Sequence, residues 1–271
     1  MEKSIHVDGL RIRFLEEGTG PAVIFLHGAS LGSSADVYEG TLAPFAQGGY
    51  RAIAYDQPGF GLSDRPKDYT VSYRTGFILK FMDALRIERA SLVGHSQAGG
   101  MVVRVALEHP QRVNSLVVVA SGSLLPPLPE QGGKAGGGEG QEGGDSPPTL
   151  EDARKLLEAN LFNKSLITPE ALEKRHRMSI GKNFESFVER SKVRETQKDA
   201  VPLWQRLKEV PVPLLLLYGS HDRGSAAKRC ALLKEKEPGL QIELIDNAGH
   251  LLMWDAEEIL NRKVLSFLPG V

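Results

Sequence analysis

An α/β domain with a mostly parallel central sheet and helices on both of its faces is the fold class this sequence predicts. Three observations predict it. Short, continuous apolar runs recur along the chain, segments of helical spacing separate them, and one long stretch that reads only as helices interrupts the series. Runs without alternation belong to strands buried on both faces, which is the condition of a parallel sheet. At 271 residues the chain is long enough to bury a large core without a covalent staple.

The elements follow in order. Ser4–Val7 and Arg11–Glu16 flank Asp8-Gly9, a hairpin turn signal. Ala22–Leu26, Arg51–Tyr55, Ala90–Val93 and Val113–Ala120 are the first buried strands, and Pro213–Tyr218 and Gln241–Ile245 complete the set. Tyr73–Leu85 and Gln97–His109 carry apolar residues at helical spacing, and the second stops before Pro110. Residues 126–148 are rich in Pro, Gly, Glu and Gln and are expected to be a flexible loop. Leu150–Phe162, Pro169–Ile180 and Phe184–Val193 then read as helices, with Thr149 and Thr168 as N-caps and Asp152 placed to close a capping box. The expected organisation is a core of residues 1–125 and 211–271, interrupted by a flexible loop and helical lid at 126–210.

Composition narrows the function. The formal net charge is −1, so no basic field is available for nucleic acid or an anionic membrane surface. No apolar run reaches membrane-spanning length, and Met1-Glu2-Lys3-Ser4 leads straight into strand-like residues. The single cysteine, Cys230, excludes an internal disulfide and suits a reducing compartment. A cytoplasmic protein acting on a small molecule is expected. The histidines show no metal-ligand spacing, and neither a metal nor a cofactor is expected.

The chemistry gathers at strand ends. Gly94-His95-Ser96-Gln97-Ala98 follows the apolar Leu92-Val93 and opens a helical segment. A serine on such a tight strand-to-helix turn is exposed as a nucleophile, and small neighbours let the backbone pass close by. Serine needs a base to take its proton, and His250 follows the last predicted strand. The acid that orients the imidazole should end the strand before, where Leu217-Tyr218-Gly219-Ser220-His221-Asp222 supplies Asp222; Asp246 is the other carboxylate near a strand end. Ser96, Asp222 and His250 are therefore the expected catalytic triad. Two backbone N–H groups must hold an oxyanion. Gln97 follows the nucleophile, and Ala29 lies in the loop His27-Gly28-Ala29-Ser30 after the strand at 22–26. His95 and Ser30, beside these two groups, are further candidates for lining a substrate pocket.

These segments, together with Asp56-Gln57-Pro58-Gly59-Phe60-Gly61-Leu62-Ser63-Asp64, resemble the α/β-hydrolase superfamily. Phe162-Asn163-Lys164-Ser165-Leu166-Ile167-Thr168-Pro169-Glu170, Lys174-Arg175-His176 and the closing His250–Asp255 are similar to meta-cleavage-product hydrolases. That resemblance implies hydrolysis of a carbon–carbon bond in a vinylogous diketone acid made by aromatic ring fission. It places Arg175 at the dienolate end of the substrate and Trp254 along the pocket, and implies a homodimer or higher oligomer. The sequence departs from that pattern at Leu31-Gly32-Ser33, at His95 before the nucleophile and at Leu251 after the histidine. Hydrolysis of aryl or short-chain esters, and a ligand-binding receptor reusing the fold, stay open as alternatives.

Overall fold

The computed structural model describes residues 1–128, 146–193 and 201–270. The Gly-rich centre of the expected flexible loop, 129–145, lies outside the described residues. Eight strands form one sheet in the order β1-β2-β4-β3-β5-β6-β7-β8. β1 (Glu2–Val7) and β2 (Leu10–Glu17) are the hairpin, and their turn residues Asp8 and Gly9 both have positive φ, the geometry that matches strand twist. β2 runs antiparallel to β4 (Arg51–Tyr55). From there β3 (Ala22–Leu26), β5 (Ala90–His95), β6 (Val113–Val119), β7 (Leu214–Gly219) and β8 (Gln241–Ile245) are parallel neighbours.

The strands are apolar throughout because successive side chains enter opposite cores. Ile24, Leu26, Leu92, Leu116 and Leu216 pack with Phe77, Phe81 and Met101 on one face. Val23, Phe25, Val93, Val117 and Leu215 pack with Phe45, Leu260 and Val264 on the other. Each fully buried large side chain contributes roughly 1.5–3 kcal/mol. The first face is covered by α2 (Val71–Ala84), α3 (Gln97–Glu108) and α7 (Ala226–Lys236), the second by α1 (Glu39–Gln47), the short α8 (Leu252–Asp255) and α9 (Glu257–Phe267). All parallel strands therefore end at one edge, where ligands of such sheets bind.

Among the described residues, the α-helices α4 (Leu150–Asn160), α5 (Pro169–Arg177) and α6 (Lys182–Lys192) lie between β6 and β7. Thr149 caps α4 in a reciprocal capping box with Asp152, while Thr168 caps α5 one way, accepting from the Ala171 N–H. Ala153, Leu157, Leu161 and Leu172 join the second core, so α4 and α5 are anchored to the sheet. α6 is held differently. Its Phe184 and Phe187 form a separate small cluster with Leu31. Among the described residues, no helix is long and apolar enough to cross a membrane.

Candidate active site

Ser96 joins β5 to α3 with φ 54° and ψ −122°, a backbone conformation that costs energy in an L residue. The turn is held because the Ser96 N–H donates to the Val119 carbonyl at 2.8 Å and the Gly99 N–H donates to the Ser96 carbonyl at 3.0 Å. It fits because its neighbours are small. A Cβ on Gly94 would come within 2.6 Å of the Ala98 carbonyl oxygen, and one on Gly28 within 3.0 Å of the Ser96 Cβ. Ser96 itself is half-buried, with its hydroxyl at the carboxyl edge of the sheet.

His250 lies in the loop after β8. Its Nε2 accepts from the Ser96 hydroxyl at 3.0 Å, and its Nδ1–H donates to the Asp222 carboxylate at 3.0 and 3.1 Å. Asp222 follows β7, and its loop is tied to that of His250, since the Ser220 N–H donates to Ile245 and the His221 N–H to Ala248. Residues 96, 222 and 250 are thus brought together as their order predicts, and the other carboxylate, Asp246, is exposed.

The oxyanion loop is fixed from below. The His27 Nδ1–H donates to the Gly28 carbonyl at 2.7 Å, while its Nε2 accepts from the Gln57 N–H at 3.1 Å. Complete burial, aided by nearby guanidiniums, lowers its pKa to about 3, so the ring stays neutral and orders the loop. Asp56, at the start of the Asp56–Asp64 turn, accepts from the Ala35 and Leu62 N–H groups at 2.6 and 2.7 Å. These bonds hold that turn against the segment at Ala35. Gln97 is exposed, and its side chain accepts from Arg74.

His95 is buried. Its Nε2–H donates to the His250 carbonyl at 2.9 Å, and its ring lies 4.8 Å from the His250 ring. Burial pushes its pKa well down. Of the residues expected to line a substrate pocket, His95 thus contacts the backbone and ring of His250.

Arg175 is buried instead of solvated on its helix. It donates to the Ser30 hydroxyl at 2.8 Å, and burial lowers its pKa to about 10. Ser30 in turn meets the Ser33 hydroxyl at 3.1 Å. Trp254, half-buried, shares with Arg175 a cavity of about 20 Å³ lined also by Gly32, Ser34 and Met178. Such a space suits about one water. Ser96 is not among its walls.

The sequence reading missed three residues. Asp255 accepts from the Gly249, Phe162 and Asn163 N–H groups at 2.8–2.9 Å, binding the insertion to the His250 loop. Arg74 bridges Gln57 and Gln97. Arg190, from the last turn of α6, donates to the Ala29 carbonyl at 3.2 Å and lies 4.1 Å over the Phe60 ring. A helical spacing on α6 could have flagged Arg190 next to Phe187, but nothing local says which face meets the oxyanion loop. Among the described residues, no group of three or more His, Cys, Asp or Glu is placed to hold a metal.

Residues 21–141 match the alpha/beta hydrolase fold family. The chain is 31% identical to the 2-hydroxy-6-oxo-6-phenylhexa-2,4-dienoate hydrolase of Burkholderia cepacia, over 97% of this chain and 93% of that protein. It is 32% identical to a 2-hydroxy-6-oxononadienedioate/2-hydroxy-6-oxononatrienedioate hydrolase of Paraburkholderia phymatum, over 96% of this chain and 91% of that protein. A solved meta-cleavage product hydrolase from Pseudomonas fluorescens IP01 superposes with a TM-score of 0.78 at 26% identity, covering 98% of this chain and 96% of the other.

Proposed function

The chain belongs to the α/β-hydrolase family and is an enzyme similar along its length to meta-cleavage-product hydrolases, and from that premise we propose that it hydrolyses a carbon–carbon bond of a ring-fission dienoate through Ser96, His250 and Asp222. The observation that carries this reading is the imidazole of His250 bridging the Ser96 hydroxyl and the Asp222 carboxylate, each at 3.0 Å.

In this mechanism His250 Nε2 takes the Ser96 proton as the hydroxyl oxygen adds to the substrate carbonyl. The N–H groups of Ala29 and Gln97 hold the oxyanion that forms. Asp222 keeps the imidazole in the tautomer that can accept the proton and stabilises the imidazolium. Collapse breaks the bond to the dienoate carbon, whose electron pair is delocalised into a dienolate, and His250 returns its proton to that leaving group. Ketonisation of the dienol beforehand makes the carbon a feasible leaving group, and Arg175 holds the negative end of the substrate by its forked donors. Water activated by His250 then cleaves the acyl-serine. No step calls on a cofactor. The helical insertion, which carries Arg175, acts as the lid of the site, and the catalytic core is the remainder, 1–125 with 211–271.

Simple ester hydrolysis is the second reading, and a specific observation favours it. The donor of His95 Nε2 is already committed to the His250 carbonyl, and Leu251 has no polar side-chain atom, so neither neighbour of the triad offers a dienolate a hydrogen bond. Turnover of a 2-hydroxy-6-oxo-dienoate should be compared with that of p-nitrophenyl esters, in the wild type and in Ser96→Ala. The proposal expects dienoate bleaching that drops about 10⁵-fold or more in the variant. Fast ester turnover without bleaching gives the site to esters, and undiminished turnover in Ser96→Ala removes the nucleophile from the mechanism.

A further inference from the structure

Two guanidiniums from the helices of the insertion, Arg175 buried and Arg190 half-buried, bond to the oxyanion loop. Arg175 on α5 donates to the side chain of Ser30, and Arg190 on α6 donates to the carbonyl of the adjacent Ala29. Both remain only partly satisfied. Arg175 Nε and Arg190 Nη1 are shielded from solvent and have no hydrogen-bond partner among the described residues. Burial is the first cause lowering the pKa of each, to about 10 and about 9, and no carboxylate of the described residues offsets it. Arg74 adds a third positive charge that further disfavours Arg190. The nearby carboxylates are already engaged, Asp222 with His250, and both Asp56 and Asp36, which shares a cavity with Arg175, with Arg13.

A buried cation without a counter-charge is expensive, because it has lost its hydration and gained no ion pair. A site that keeps two is completed by an anion arriving with the substrate. In the proposed reaction, on which this inference rests, one carboxylate at the dienoate end satisfies Arg175. Arg190 is then left over. Its guanidinium carbon lies over both Phe60 and Phe187, 4.1 and 5.4 Å from the ring centres, and one arm donates to the Ala29 carbonyl. This pins the guanidinium next to the oxyanion loop with its remaining N–H groups in a fixed direction, as bidentate recognition of a carboxylate requires.

We propose that Arg190 is a specificity-determining residue that reads a second carboxylate, so that the preferred substrate is a dicarboxylate with one anionic group for Arg175 and another for Arg190. A lysine could not substitute fully, since the recognition depends on a planar donor pair stacked on the two rings.

The test measures binding by calorimetry in the Ser96→Ala protein, where ligand survives. The probes are 2-hydroxy-6-oxononadienedioate and its analogue with a methyl group in place of the distal carboxylate. The dicarboxylate is expected to bind about 10- to 100-fold more tightly, the span of one buried charge-assisted contact. Arg190→Met should erase that preference while leaving the affinity for the analogue within about threefold, and Arg190→Lys should restore it in part. Equal affinities for the two probes in Ser96→Ala overturn the proposal, a reading that needs no Arg190 variant to fold. A preference that survives Arg190→Met, or binding of neither probe, overturns it too. An Arg190 that merely clamps α6 onto the loop would weaken both probes alike. Wild-type turnover of the same two compounds is a separate measurement. If binding prefers the dicarboxylate but no carbon–carbon bond is cut, the reaction fails and the anion site stands.

Discussion

The two halves of the site are built differently. Ser96, Asp222 and His250 stand at the ends of β5, β7 and β8, whose backbones are hydrogen-bonded to neighbours and whose side chains fill two large cores. Arg175 and Arg190 stand on amphipathic helices, and the apolar contact of α6 is a small cluster of Phe184 and Phe187 with Leu31, joined by polar contacts such as Lys182 to the Ser63 carbonyl and Arg190 to the Ala29 carbonyl. Bond-making atoms must be held to fractions of an ångström, which a packed sheet edge achieves. Groups that recognise a substrate tolerate a looser support, and a lid that carries them can move. The difference teaches that chemistry and selectivity in this molecule can be altered separately.

The largest effect should come from the sheet side. Asp222→Asn keeps the shape of the site but favours the wrong histidine tautomer, and turnover is expected to fall about 10⁴-fold with the melting temperature little changed. A loss under about tenfold, measured in steady-state assays, would show that the carboxylate is not what holds His250. Next comes a paired stability test. Leu216→Ala opens a cavity in the first core and should cost about 2–5 kcal/mol. Phe184→Ala, at the rim of the small cluster, should cost about 1–2 kcal/mol because solvent and neighbours can close the gap. Urea unfolding midpoints decide this, and equal losses would break the contrast between a rigid sheet and a lightly held α6.

The smallest effect is on acid stability. His27 and His95 are buried neutral, with pKa values lowered to about 3 for His27 and well below the ordinary 6.5 for His95. Below pH 6.5 the unfolded chain binds protons that the folded chain does not, so stability falls as pH drops, by up to about 1.4 kcal/mol per pH unit for each ring. Asp56 opposes this. Burial raises its pKa to about 6, so between 3.8 and about 6 the folded state binds the extra proton. Two imidazoles outweigh one carboxyl, and the urea midpoint is expected to be lower at pH 5.5 than at pH 7.5. An unchanged midpoint would mean that the ground beneath the oxyanion loop opens to water.

The strands were legible in the sequence because burial on both faces leaves no polar residue within a run, as in Ala22–Leu26 and Leu214–Leu217. The hairpin turn at Asp8-Gly9 and the caps at Thr149 and Thr168 were legible because each depends on residues within a few positions of one another. Helices α1, α7 and α9 gave weaker signals. α1 contains Pro44, and the apolar positions of α7 are broken by charged residues such as Arg229 that are buried only through distant carbonyls of the 122–126 segment.

Chain order alone determined which serine, aspartate and histidine should meet, since a strand–turn–helix signal and two later strand ends leave few choices. Tertiary structure decided what surrounds them. It turned His95 inward onto the His250 carbonyl, buried Arg175 against Ser30, and laid Arg190 across Phe60, residues separated by 130 positions or more in all three cases. The physical reason is one of range. A strand or a cap is fixed by neighbours along the chain, whereas the partner of a long charged side chain is fixed by where another element docks, and nothing in its own segment records that.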